Sequence, residues 1–272
     1  MRPQRLFDYT THLLSVGRVI FSRDEARKSL GISGGAFLDA AERLQQKGCL
    51  FTPRRGFYVV VPPQFRSWGA PPPSWYIDEL MRHEGQPYYV GFLKAAELLG
   101  AAPQAVMEFQ VITDRQIPKI QAGRSVIAFY FRRNLVAIAN GIEDHKTDTG
   151  KMKVSSAELT ALDLVRYPRA AGGVSHVASV LSELAERIQP GKLSSLSKSF
   201  ERSVAQRLGY ILTRTGHESR AGLLLRRLTS KRPIPWVELD PAEIGDPNLS
   251  KPPRERDSRW RVVVRSAPET DS

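Results

Sequence analysis

The sequence predicts an α+β protein in two parts, a small helical N-terminal module followed by a larger mixed α/β C-terminal domain. Three observations carry that prediction. Residues 1–70 read as three short helices and a hairpin. Residues 71–272 alternate short strand-like and helix-like runs without a long βαβ repeat. Two proline-rich stretches, Pro62-Pro63 and Pro71-Pro72-Pro73, lie between them, and a stiff, extended join of this kind places the boundary near residue 70.

The first helix is predicted over Leu6 to Val16, where Leu6, Tyr9, Leu13 and Leu14 fall near one face and Gly17 ends the run. A short apolar run, Val19-Ile20-Phe21, follows. Ser22 opens a second helix with Glu25 three residues on, the spacing of a capping box, and Gly31 stops it. Ser33 caps a third helix to about Lys47, with Phe37, Ala40, Ala41 and Leu44 on its buried side. Cys49-Leu50-Phe51 and Phe57 to Val61 then form a hairpin around Pro53-Arg54-Arg55-Gly56.

Three helices, the later two joined by a tight glycine turn, and a basic-tipped hairpin make the order of a winged helix-turn-helix. Such a module presents its third helix to a major groove, where each base pair shows a distinct donor and acceptor pattern. Ser33, Gly34 and Gly35 at the start of that helix allow close backbone approach, and its amides can meet a phosphate. Arg43 lies further along it. Arg23, Arg27 and Lys28 on the second helix and Arg54 and Arg55 at the hairpin tip supply cations for the DNA backbone or minor groove. Asp39 and Glu42 on the third helix run against phosphate proximity, although a carboxylate can accept from cytosine N4. The same arrangement also serves protein-interaction modules.

Charge supports the nucleic-acid reading. The net charge of the 272 residues is +12, and it is uneven: +6 over residues 1–70, zero over 71–190, and +6 over 191–272. A basic balance of this size points to a polyanionic partner. One cysteine, Cys49, excludes an internal disulfide framework and a multi-thiolate zinc site. No apolar run reaches the roughly 18 residues of a membrane helix, and no signal-peptide core follows Arg2 and Arg5, so a cytoplasmic location away from membranes is expected.

In the middle of the chain, Trp75 to Arg82 is predicted helical, and Tyr88-Tyr89-Val90-Gly91 leads into a helix ended by Gly100. Phe109 to Thr113, Ser125 to Arg132, Asn134 to Ala139 and Met152 to Val154 read as mostly antiparallel strands. Ser155 with Glu158 has capping-box spacing and opens a helix containing Leu159, Leu162 and Leu164. Another helix is expected over Val174 to Ile188. No phosphate loop, dinucleotide fingerprint or serine-nucleophile motif is present. No group of ligands has metal-site spacing, and no cofactor is expected. Asp144-His145-Lys146 has the acid-x-Lys form of a magnesium nuclease, with Glu108 or Asp114 as the other acid, but it adjoins what reads as a polar loop over Gly141 and Thr147 to Gly150.

Toward the C-terminus, Lys192 to Tyr210 and His217 to Thr229 are predicted amphipathic helices, the second with an apolar stripe of Leu223, Leu224, Leu225 and Leu228. Trp236 to Leu239 and Trp260 to Val264 read as strands flanking a charged loop, Arg254 to Arg259. Trp236 and Trp260 are the aromatics that a stacking platform for single strands would use. Arg207, Arg214, Arg226 and Arg227 mark a second basic surface.

The chain resembles the AbiEi family of antitoxins from abortive-infection operons. The residues that carry this are Leu30-Gly31-Ile32-Ser33, Gly48, Arg55-Gly56 and Tyr58; then Tyr88-Tyr89-Val90-Gly91 and Ala95-Ala96-Glu97-Leu98-Leu99-Gly100; then Val154 to Leu164, Arg207-Leu208-Gly209-Tyr210, Leu239-Asp240-Pro241 and Trp260-Arg261-Val262-Val263. Their order and spacing span nearly the whole chain. The resemblance implies a winged helix at 1–70 that binds inverted repeats of double-stranded DNA in its own promoter and represses the operon. It implies an antitoxin domain at 71–272; the basic surface of Arg207, Arg214, Arg226 and Arg227 is the candidate antitoxin surface read from the residues themselves. The implied functional partner is a nucleotidyltransferase-like toxin, and type IV logic does not require the two to form a complex. No catalysis is expected. Two other readings stay open: a stand-alone regulator with a ligand- or partner-binding C-terminal domain, and a DNA-targeted nuclease.

Overall fold

A computed structural model describes residues 4–101, 106–230, 233–244 and 252–266. The fold is mixed α+β and divides into two units. The first comprises Met1–Tyr89, Met107–Leu135 and Asp144–Lys153; the second comprises Val90–Val106, Val136–Glu143 and Val154–Ser272.

The first unit begins with α1 (Gln4–Ser15), β1 (Ile20–Ser22), α2 (Arg23–Leu30), α3 (Gly34–Gln46), β2 (Leu50–Arg54) and β3 (Phe57–Val60). The helix boundaries follow local chemistry. The hydroxyl of Ser22 accepts from the amide of Glu25 while the Glu25 carboxylate accepts from the amide of Ser22, closing the predicted capping box. Gly31 ends α2 at φ 62°, the left-handed conformation that a residue with Cβ resists. Ser33 caps α3 through the amide of Ala36. β1 joins the hairpin by pairing with β3, so the sheet order is β1-β3-β2. Phe21, Phe37 and Tyr58 form the centre of the core: Phe21 stacks on Tyr58 at 5.4 Å, and Phe37 meets the same ring edge-on at 5.1 Å. These three rings tie β1, α3 and β3 together, which fixes α3 against the sheet with its other face in solvent.

The proline-rich segment after β3 is built into the same unit. Pro63–Trp68 is a 3₁₀ turn, and the carbonyl of Trp68 accepts from the amide of Arg124 at 2.8 Å. Gly123 is required there, because a Cβ on it would overlap the Trp68 carbonyl. Beyond lie α4 (Ile77–His83) and a six-stranded sheet of β4 (Tyr88–Val90), β5 (Glu108–Thr113), β6 (Ile120–Ala122), β7 (Ser125–Phe131), β8 (Ile142–Thr147) and β9 (Gly150–Ser155), in the order β6-β7-β5-β4-β9-β8.

Three sequence expectations fail in this region. The strands are not mostly antiparallel: β5 pairs parallel with β7 over six residue pairs, and β4 pairs parallel with β9. Alternation along one strand reports which face is buried and carries no information on neighbour direction, which crossovers set. Asn134 to Ala139 is not a strand. Asn134 takes φ 61°, a left-handed value that Asn tolerates, and turns the chain into a 3₁₀ segment, Leu135–Gly141. The supposed polar loop beyond it is the β8–β9 hairpin.

The second unit contains α5 (Phe92–Leu98), α6 (Ala157–Arg166), α7 (Val174–Leu184), α8 (Pro190–Leu196), α9 (Arg202–Arg214), α10 (Glu218–Thr229), and a small sheet of β10 (Val237–Glu238), β11 (Glu255–Asp257) and β12 (Val262–Val264) in the order β10-β12-β11. α6 is buried from Ala157 to Val165 and forms the centre of this unit. Its cap is Ser156 rather than Ser155: the Ser156 hydroxyl faces the Leu159 amide, and Ser155 pairs instead with Thr160. Glu158, only 2% exposed, accepts from the Ser156 hydroxyl at 2.7 Å and the Gln189 amide at 2.8 Å. Lys192 to Tyr210 is broken between α8 and α9, and Arg254 to Arg259 contains the strand β11. On α10, Leu224 and Leu228 are buried while Leu223 is exposed. Successive residues are about 100° apart on a helix, so a run of three leucines cannot share one face.

Candidate nucleic-acid interface

The residues singled out at the N-terminus gather on α2, α3 and the β2–β3 tip. Phe37, Ala40, Ala41 and Leu44 are buried, as their spacing requires, and Gly35, Leu38, Asp39, Glu42 and Arg43 are left on the exposed side of α3. The two helices meet at Gly34. A Cβ on Gly34 would stand 2.5 Å from Nη2 of Arg23, with the Arg27 guanidinium carbon 3.8 Å away, so the bare glycine is what lets two guanidinium groups lie over the start of α3. Nε of Arg23 and of Arg27 are buried without a hydrogen-bond partner among the described residues. Arg27 also stands 3.7 Å from Asp24, and Lys28 is exposed. Positive charge beside the amide end of α3, which carries partial positive charge itself, favours an anion there.

At the hairpin tip the two arginines part company. Arg55 is exposed. Arg54 turns inward, donating to the Pro118 carbonyl at 3.0 Å and standing 3.6 Å from Glu84; its side chain is 22% exposed. The tip is held from a second side by His83, whose Nε2 lies 3.2 Å from the Arg55 carbonyl and whose ring is 5.4 Å from that of Phe57. Sequence reasoning missed Glu84, His83 and Pro118, because contacts across 28 to 64 residues leave no local pattern.

The C-terminal basic residues lie on α9 and α10 of the second unit. Arg207 is half-buried and donates to the Glu238 carbonyl at 2.7 Å, and burial pulls its pKa down. Arg227 is half-buried and donates to the Ser197 carbonyl. Arg226 is exposed, and Arg214 is exposed with Glu255 at 3.9 Å. Trp260 cannot be a stacking platform. It is fully buried, its ring lies on Gly209, and its indole N–H donates to the Thr213 hydroxyl at 3.0 Å. Trp236 is exposed, with the Arg261 guanidinium 6.0 Å above its ring.

Asp144 stands on β8 between Lys151 at 2.8 Å and Lys153 at 2.6 Å. Hydrogen bonds from these two lysines hold its carboxyl at about 2. Asp144 therefore sits in a salt-bridge cluster with two ammonium groups. Among the described residues no group of His, Cys, Asp and Glu is arranged to hold a metal. Among them, too, no helix is long and apolar enough to cross a membrane.

Residues 89–214 match the family model described as the AbiEi antitoxin C-terminal domain. The class this part of the chain resembles is that of antitoxins of toxin–antitoxin systems. Over those residues the chain is similar to the AbiEi antitoxins. A crystal structure of the RV2827C protein from Mycobacterium tuberculosis has a similar fold, with a TM-score of 0.71 and 14% identity over 97% of this chain and 92% of that one. No curated protein matches the chain.

Proposed function

We propose that this chain is an antitoxin and a DNA-binding autorepressor: residues 1–70 act as a winged helix-turn-helix on inverted repeats in the promoter of the chain's own operon, and residues 71–272 carry the antitoxin activity. The observation that supports this best is the solvent-facing side of α3, flanked by Arg23, Arg27 and Lys28 at one end and Arg55 on the hairpin. Phosphate contacts of this kind position a module on DNA, while the helix between them reaches base edges. Ser33, Gly34 and Gly35 bring the α3 backbone close to a phosphate, Arg43 lies along the groove, and Arg54 acts indirectly, by holding the tip that carries Arg55.

The toxin it counters is nucleotidyltransferase-like and belongs to a type IV pair, in which neutralisation does not require a complex. Arg214 and Arg226, with Arg207 and Arg227 beside them, form the candidate antitoxin surface. The protein acts without catalysis, metal or cofactor, in the cytoplasm.

The test is a titration against about 200 base pairs from upstream of its own gene, with scrambled DNA of equal length as control, at about 0.15 M salt. Preference for the upstream fragment by a factor of roughly a thousand supports the autorepressor. Equal, salt-labile binding to both overturns it and leaves the antitoxin role alone. Co-expression of the adjacent gene with and without this chain tests the toxin pairing separately.

A further inference from the structure

We infer that α3 reads its site by apolar contact and by accepting hydrogen bonds, with Leu38 against a thymine methyl and Asp39 and Glu42 accepting from cytosine N4. The inference rests on the DNA-binding reading above and specifies its chemistry.

Leu38 is 46% exposed and is the large apolar side chain on the outward face of α3. Asp39 and Glu42 are exposed beside it, and neither makes an ion pair with any described residue. Arg43 follows Glu42 on the same helix without an ion pair to either carboxylate among the described residues, and the other neighbouring cations lie on α2 and at the hairpin tip. A carboxylate left unpaired on a face next to phosphates would be repelled by them. It is tolerated where the groove floor offers donors.

In the major groove those donors are few. Guanine shows only acceptors, N7 and O6, and repels a carboxylate. Adenine places N7 beside its amino group, which suits Asn or Gln. Cytosine N4 is a donor with no adjacent acceptor on that base, and so fits Asp or Glu. Thymine is the base with a methyl in this groove, and Leu38 is the side chain to meet it. Leu38 and Glu42 are one turn apart, about 6 Å along the axis at 1.5 Å per residue. That spans roughly two base steps at 3.4 Å each. Gly35, one turn before Asp39, has nothing within 4 Å of where a Cβ would be, so no side chain holds this face away from the groove. The face therefore selects thymine and cytosine edges, and no cation on it before Arg43 would select guanine.

The experiment uses the full chain and the protected segment of its upstream fragment. Each thymine is replaced singly by deoxyuridine, which removes only the methyl, and each cytosine singly by thymine, which removes the N4 donor. Wild type is expected to lose about fourfold in affinity at one deoxyuridine position, the worth of one buried methyl. Leu38→Ala is expected to be indifferent to that same replacement. Glu42→Gln or Asp39→Asn is expected to abolish the penalty, on the order of tenfold, at one cytosine. All three side chains are exposed, and unchanged melting together with an unchanged salt slope on scrambled DNA verifies that each variant is folded and still engages the backbone. Specific binding by wild type that ignores every deoxyuridine and every cytosine replacement overturns this inference alone. So does a methyl penalty that persists in Leu38→Ala. Absence of any specific binding overturns the autorepressor reading, and this inference with it.

Discussion

Arg54 donates to the carbonyl of Pro118, 64 residues further along the chain, at 3.0 Å. Glu84 stands 3.6 Å from the same guanidinium, and His83 holds the backbone of the next residue, Arg55. The hairpin tip is thus fastened from outside the three-helix module by one arginine while its neighbour stays in solvent.

Two adjacent arginines therefore separate into two phenotypes. Arg55→Ala is expected to weaken binding to all DNA sequences alike and to lower the salt slope by about one, with melting unchanged. Arg54→Ala is expected to cost about 1–3 kcal/mol, since it removes a charged hydrogen bond and a half-buried ion pair. A salt titration and a thermal melt on each variant distinguish them.

The start of α3 offers a second separation. Ser33→Ala removes the cap on the Ala36 amide and is expected to cost about 1 kcal/mol of stability. Gly34→Ala meets only the flexible end of Arg23, so its stability cost is expected within about 0.5 kcal/mol. It displaces that guanidinium from the helix start, and DNA affinity is expected to fall. Denaturant unfolding and a DNA titration, run on both variants, read the two effects independently.

In the second unit, Gly209 and Trp260 are a matched pair. A Cβ on Gly209 would overlap the indole ring, which is rigid and fully buried, so Gly209→Ala is expected to cost about 1–3 kcal/mol. Trp260→Phe is expected to relieve the overlap, so that the double variant is more stable than the sum of the two single changes. It also loses the hydrogen bond to Thr213, about 1 kcal/mol. Urea unfolding of the four proteins closes the cycle.

Asp144 makes a pH prediction. Its carboxyl titrates at about 2 in the folded chain against an ordinary 3.8, because Lys151 and Lys153 hydrogen-bond the charged form. A carboxylate lowered by folding stabilises the fold above its ordinary value, and that contribution disappears as pH falls from about 4 through 2. Removing Lys151 or Lys153 is expected to move the midpoint upward, followed by carbon-detected NMR of the side chain. Wild type and Asp144→Asn alike are expected to leave DNA intact with or without magnesium.

Local elements were legible because their causes are local. The Ser22–Glu25 box, the left-handed Gly31, the Ser33 cap and the buried set Phe37, Ala40, Ala41 and Leu44 each depend on residues within a turn or two. The misread elements all depend on something distant or on spacing finer than composition. Asn134 turns left-handed where an apolar run suggested a strand. Ser155 and Ser156 both stand near capping spacing, and the pairing of Ser155 with Thr160 decides which of them caps. Trp260 reads equally as a strand aromatic or a stacking surface until Gly209 is found beneath it.

By itself the sequence determined the charge at the two ends, the order of the N-terminal helices and hairpin, and the family that residues 89–214 resemble, because these are properties of composition, short-range periodicity and motif order. The tertiary structure alone decided that β5 and β7 run parallel, that Glu158 is buried and that Arg54 faces inward while Arg55 does not. Two adjacent arginines are chemically identical in the sequence. What separates them is a carbonyl and a carboxylate that only the folded chain brings within reach.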